Sequence, residues 1–336
     1  MPRILIVKTS SLGDVVHNCP AVTDIARRVP GAVIDWVVEE SFAEVVAMHP
    51  AVRRVIPVAI RRWRSALVYP STWSELAALR RLLRSEPYDH VIDSQGLLKS
   101  ALVTRMARGL RHGFDRESSR ERFAAHFYDV RHAVPPGLHA VERNRQLAAE
   151  ALAYSLEGAC DYGLHPAAAV PLVVPVPASI PASIPASIPA SIPASIPHAL
   201  LLTMSSRHDK LWAEEHWRSL GVALAGRRIQ CLLPWGSEAE RRRCVRIAAA
   251  IGGALVPRHM SLAELASLAR KARFVVGVDT GLAHLAAALE VPVIGLYCGS
   301  DPALTGLYGG KWVRNLGNVG KPPTVAEVME VLEPML

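Results

Sequence analysis

The chain has 336 residues, which suits about two domains. Half of its residues are hydrophobic and 20% are charged, so it can bury a large core, and intrinsic disorder is excluded. The net charge of +8 divides evenly, with 22 basic and 18 acidic residues in 1–170 and 16 and 12 in 171–336, which excludes a basic tail.

Residues 3–8 (RILIVK) read as a buried strand, followed by the loop TSSLGD and a helical pattern over 15–28. Further strands are predicted at 33–38, 53–58, 90–93 and 111–114, with helices at 73–85, 97–108 and 139–155. Alternating strand and helix predicts a parallel sheet covered on both faces. From 177 to 196 the tetrapeptide PASI occurs five times, closing with Pro197. Proline at every fourth position blocks both helix and central strand, so this segment reads as an extended linker. A slippage expansion without function is the plainer account of its origin, and an exposed interdomain connection tolerates such an expansion best. The pattern then restarts. Strands are predicted at 199–203, 227–234, 274–279 and 291–297, with helices at 213–225, 238–251 and 280–289 and a closing helix at 323–336. The domains expected are therefore 1–170, a linker 171–198, a second domain 199–322 and the helix 323–336.

Several classes drop out. Cys19, Cys160, Cys231, Cys244 and Cys298 are odd in number and scattered, with no CxxC spacing. A disulfide framework and a structural zinc site are thus not expected, and a reducing cytoplasm fits. The N-terminus has no apolar h-region, and no run approaches the ~18 residues of a membrane span.

Four groups of residues could carry chemistry. Lys8 to Asp14 follow the first strand, where open α/β sheets bind ligands. Asp14 reads either as a helix N-cap or as a general base. Val278-Asp279-Thr280-Gly281-Leu282-Ala283-His284 is a strand end running into a helix whose start suits a phosphate; His284 is either a structural histidine or part of that site. Ser205, Ser206 and Lys210 follow the first strand of the second domain and read as a phosphate pocket or a solvated loop. Glu240, one turn into the next helix, is either a ribose ligand or a favourable first-turn acid. Finally, residues 45–74 contain no Asp or Glu but hold Arg53, Arg54, Arg61, Arg62 and Arg64 around Trp63. Such a cluster would recognise carboxylates or phosphates, with Arg116, Arg120 and Arg122 as possible additions. The glycines form neither GxGxxG nor a P-loop, and no DxD occurs. The missing acid pair favours neutralising a diphosphate with Lys210 and a helix start rather than with a metal.

Together the runs ILIVKTSSLGDVVHNCPAVTD, RRWR, DSQGLLKSALVTR, HAVERNR, SSRHDKLWAEEHW, LPWG and VDTGLAHLAAAL resemble the lipopolysaccharide heptosyltransferase I group of glycosyltransferase family 9. The resemblance spans nearly the whole chain, with the PASI repeat as the main departure. It implies an α/β GT-B fold, two Rossmann-like doubly wound domains facing a central cleft, the acceptor domain first and the donor domain second. It implies Asp14 as the catalytic base and Lys210 as the donor-phosphate lysine. Ser205, Ser206, Glu240, Met260, Asp279, Thr280, Gly281 and His284 would complete the donor site; the family often has threonines at the two serine positions. Ser10, Gly13, Arg61, Arg62, Arg64, Gln95 and Arg120 would meet the acceptor. The implied reaction is an inverting, metal-independent transfer of L-glycero-D-manno-heptose from ADP-heptose to the first Kdo of Kdo2-lipid A, with no cofactor. The implied setting is a monomer, peripheral on the cytoplasmic face of the inner membrane against an anionic surface. The rivals are heptosyltransferase II, a silent nucleotide-sugar-binding protein and a nucleic-acid-binding protein; KTSSLGD and RRWR favour type I, and no stacking-platform motif supports nucleic acid.

Overall fold

The apolar run after Met1 forms β1 (Arg3–Val7), buried from Ile4 onward. Strands buried on both faces are the mark of a parallel sheet, because helices must cover each side. β2 (Val33–Glu39), β3 (Val52–Val58), β4 (His90–Asp93), β5 (Leu110–Phe114) and β6 (Val130–His132) join it. The order is β3-β2-β1-β4-β5-β6, with every pair parallel. The order therefore reverses between β1 and β4. The loops leaving their carboxyl ends part at that point and open a crevice.

This computed structural model describes residues 1–165 and 197–336. It divides into two compact units, Met1–Ile184 and Pro185–Leu336. The PASI repeat lies outside the described residues. His198, expected to end the linker, instead opens a strand.

The second unit carries β7 (His198–Leu202), β8 (Gln230–Leu232), β9 (Phe274–Val278), β10 (Val293–Tyr297) and β11 (Val313–Gly317). The order β11-β10-β9-β7-β8 is again all parallel, and it reverses between β7 and β9. Trp212, Trp217, Leu220 and Phe274 are fully buried in its core, and Val328 and Leu332 of the helix Val325–Leu332 close it.

The single helix expected over 15–28 is two, Leu12–Val16 and Cys19–Arg28. Pro20 sits in the first turn of the second, where its missing N–H costs nothing; in the middle of one long helix it would break the ladder. The edge strands β6 and β11 were not predicted. The helices Ile60–Ser65 and Leu262–Lys271 were also not predicted. No helix among the described residues is long and apolar enough to cross a membrane.

Candidate functional site

Both switch points carry a cluster of polar side chains. In the first unit, the loop after β1 is held by the loop after β4. Gln95 is buried, and its Oε1 accepts from the Thr9 amide (2.7 Å), the Thr9 hydroxyl (3.1 Å) and the Ser10 amide (3.1 Å). Its Nε2 donates to the Ser10 carbonyl. The β4 end is fixed in turn by Asp93, which accepts from the Gln95 amide at 2.9 Å and from the Tyr128 hydroxyl at 2.8 Å. Ser10 is buried, and its hydroxyl accepts from Lys99 Nζ at 2.7 Å. Gln95 thus spends both ends of its amide on this loop.

The braced loop delivers Asp14 to the third position of the helix Leu12–Val16, with Ser11 at the N-cap and Gly13 in the first turn. Asp14 is therefore not the N-cap. Its Oδ2 accepts from the Ser11 amide at 2.9 Å and the Ser11 hydroxyl at 3.2 Å. Arg120 grips both carboxylate oxygens. Burial works against the Asp14 charge, but Arg120 and Lys8 outweigh it and hold the carboxyl well below the usual carboxylate range. The side chain of Arg120 is still 40% exposed, so part of its guanidinium faces solvent.

Lys8 is the group that sequence reasoning left without a role. It is buried, and its Nζ donates to the Ser94 carbonyl (2.6 Å) and to Asn144 Oδ1 (3.2 Å). Burial lowers its ammonium to about 7, against the pull of Asp14. A lysine at a strand end gives no sequence sign of being buried; only the neighbours supplied by β4 and the helix Ala140–Leu152 reveal it.

In the second unit, Asp279 at the end of β9 is the hub. Its Oδ2 meets Lys210 Nζ at 2.6 Å and accepts from the Ser300 hydroxyl, while Oδ1 lies 3.3 Å from His284 Nε2. Burial would raise the Asp279 carboxyl, but His284, Lys210 and Ser300 together hold it well below its ordinary value. Ser205 donates to the Asp279 carbonyl at 3.0 Å, whereas Ser206 is exposed. Thr280 is the N-cap of the helix Gly281–Ala288 with no side-chain cap bond. At that helix start the Ala283 and His284 amides donate to the Thr280 carbonyl at 3.0 and 3.4 Å, while those of Gly281 and Leu282 have no backbone acceptor among the described residues. Ser300, on the loop after β10, was missed because nothing in its own sequence neighbourhood marks it.

Two further expected donor residues make no hydrogen bond or ion pair with this hub among the described residues. Glu240 turns back on its own helix start, accepting from the amides of Gly236 (2.7 Å) and Ser237 (3.2 Å). Met260 is buried just before the N-cap Ser261. Among the described residues, no group of three His, Cys, Asp or Glu side chains could hold a metal ion.

The arginine segment is more compensated than its local sequence suggests. Parallel pairing sets Arg53 and Arg54 against the buried Asp35 of β2, at 2.7 Å and 2.6 Å, and both also meet Glu86. Arg62 pairs with Glu75 at 2.9 Å and Glu40 at 3.6 Å. Arg61 lies over the Phe42 ring at 5.4 Å, and Arg64 is exposed on the same short helix, Ile60–Ser65. The lack of acids is thus local to the stretch: Arg53, Arg54 and Arg62 find acids outside the 45–74 window.

Comparison with known proteins adds an independent line. The family model Glycosyltransferase family 9 (heptosyltransferase) matches residues 76–332. The chain is 45% identical over 311 residues to lipopolysaccharide heptosyltransferase 1 of Escherichia coli K12, covering 91% of each chain. It is 46% identical over 312 residues to lipopolysaccharide heptosyltransferase 1 of Pseudomonas aeruginosa, covering 91% of this chain and 81% of that one. Among solved structures it is similar to E. coli heptosyltransferase WaaC with ADP, with a TM-score of 0.85 and 41% identity over 99% of this chain and 100% of that one.

Proposed function

Since the chain belongs to glycosyltransferase family 9, the heptosyltransferases, we propose that it moves L-glycero-D-manno-heptose from ADP-heptose to the first Kdo of Kdo2-lipid A, in lipopolysaccharide inner-core biosynthesis. The transfer is a single inverting displacement. Asp14 takes the proton of the acceptor hydroxyl as that oxygen attacks the anomeric carbon, and the bond to ADP breaks on the opposite face. The diphosphate leaves with its negative charge on Lys210 and the Gly281 and Leu282 amides at the start of the Gly281–Ala288 helix, without a metal. Lys210 gives Asp279 one of its three N–H donors, so two are left for phosphate oxygens. Arg61, Arg64 and the exposed edge of Arg120 receive the acceptor's anionic groups. The enzyme works as a monomer, peripheral on the cytoplasmic face of the inner membrane.

The observation that carries this reading is Asp14, a carboxylate at the switch point of the first sheet, kept ionised by Arg120 and Lys8 and carried by a loop that Gln95 braces. A carboxylate this strongly stabilised is a weak base toward a free alcohol. It accepts the proton only as the attacking oxygen gains a bond to the anomeric carbon, so proton transfer and attack belong to one step.

The test is in-vitro transfer from ADP-heptose, comparing Kdo2-lipid A with a monoheptosylated acceptor, in the wild type and Asp14→Ala. Turnover on Kdo2-lipid A, abolished in Asp14→Ala with ADP binding retained, is the expected result. Preference for the heptosylated acceptor would overturn the acceptor assignment, and near-normal turnover in the variant would overturn the base.

A further inference from the structure

The helix Pro70–Ser85 packs Leu79 and Leu83 into the core of the first unit. One flank beside that face is unusual. Trp73, Ala77, Arg80, Arg81 and Arg84 are exposed, and spacings of four, three or four, and four residues put them on one stripe. With Leu76 and Met106 this stripe lines a groove of about 670 Å³ that contains none of the candidate-site residues. Trp73 is 59% exposed, and the turn leading into the helix exposes Leu67, Val68 and Tyr69 as well. The only acid of the helix, Glu75, is taken by Arg62, and Glu86 just beyond its end is taken by Arg53 and Arg54. Arg80, Arg81 and Arg84 form no ion pair among the described residues.

We propose that this stripe is the membrane-docking face, and that its occupant is an anionic phospholipid surface. The charge pattern fits that partner. Three adjacent arginines without acidic partners match a sheet of lipid phosphates, and an amphipathic indole with three apolar neighbours matches the headgroup–acyl boundary. Arginine suits the task because its fork takes two phosphate oxygens at once. From the proposed function this takes only that the acceptor is a membrane lipid. Docking by this helix would hold the unit that carries Asp14 at the surface where such an acceptor resides.

The experiment is co-sedimentation of the full chain with vesicles of phosphatidylglycerol and phosphatidylcholine, against phosphatidylcholine alone. The comparison is with Arg80→Gln/Arg81→Gln/Arg84→Gln and, separately, Trp73→Ser. The wild type should bind the anionic vesicles, and the triple variant should partition on the order of 100-fold more weakly. Trp73→Ser should weaken binding to the anionic vesicles and leave its salt dependence unchanged. All forms should turn over a deacylated, water-soluble acceptor at the same rate, which also shows that the variants are folded. Binding that ignores lipid charge, or that survives the triple substitution, overturns the proposal. Failure of the wild type to bind any vesicle also overturns it and leaves the groove to a protein partner. Loss of turnover on every lipopolysaccharide acceptor, with vesicle binding intact, would count against the proposed reaction and not against this face.

Discussion

Replacing Arg120 by Met tests how Asp14 is held. The substitution removes a guanidinium that meets both carboxylate oxygens, one of them at 3.3 Å. What remains on Asp14 is the Ser11 amide at 2.9 Å and the Ser11 hydroxyl at 3.2 Å, with the Lys8 charge behind them. The carboxylate side chain is 16% exposed, so water replaces the lost partner only in part. An arginine in this position is worth about 1–3 pH units to an aspartate. The acid limb of kcat/KM should therefore move upward by about that much, toward the ordinary carboxylate value of about 3.9. Initial rates of ADP release between about pH 3 and 7, with donor saturating, would read the limb. Arg120→Lys, which restores charge without the fork, should fall between wild type and Met. The sign also fixes a stability effect. Because Asp14 is depressed on folding, its ionisation stabilises the chain above the unfolded value of about 3.9, and that contribution disappears as pH falls through the folded value. Arg120→Met should thus cost stability at neutral pH and little in acid. If the limb stays in place while only acceptor KM rises, the coupling is refuted and Arg120 is an acceptor contact alone.

Other expectations follow from the same geometry. Lys8 titrates near 7 in the folded chain and about 10.4 unfolded, so its burial costs stability most fully below pH 7. Relative to Lys8→Met, the wild type should gain about 1.4 kcal/mol per pH unit between about pH 7.5 and 10 in urea titrations; a constant difference would falsify the burial argument. Gln95→Leu strands the buried Thr9 and Ser10 amides. It should cost at least about 1–3 kcal/mol and lower kcat in protein that is still folded; full activity at a reduced Tm would make Gln95 merely structural. Arg61→Ala with Arg64→Ala should raise acceptor KM more than donor KM, with Tm nearly unchanged. Arg62→Ala, which breaks ion pairs to Glu75 and Glu40, should lower stability by up to about 1 kcal/mol, and a larger acceptor KM effect there than at Arg61 and Arg64 would reverse their ranking.

The parallel α/β plan was legible because central strands such as β1 and β9 must be apolar on both faces, and such runs survive in the sequence. Edge strands have no such requirement. β6 is VRH and β11 is VRNLG, so neither shows an apolar run. The helix Leu262–Lys271 carried a readable start, Ser261 with Glu264 three residues on, each bonded to the other's amide, yet the Pro and Gly before it masked the pattern. The chemistry-bearing loops were legible from their place after strands. Compensation of charge was not, because the acids that neutralise Arg53 and Arg54 come from a neighbouring strand and a helix end, 18 to 33 residues away. The same non-locality hid Lys8 and Ser300, whose partners lie on elements far along the chain.

The bond between Gln95 and the loop after β1 has one more consequence. The regular ladder of β1 ends at the Lys8 amide, which donates to Val37 at 3.3 Å. The next two amides, of Thr9 and Ser10, are protected by a side chain instead of a strand. Their hydrogen exchange should thus be set by how often Gln95 lets go, not by opening of the whole sheet. They form a pair of built-in reporters: in any variant or ligand state, their exchange rates would show whether the loop leading to Asp14 is still braced, without a single turnover.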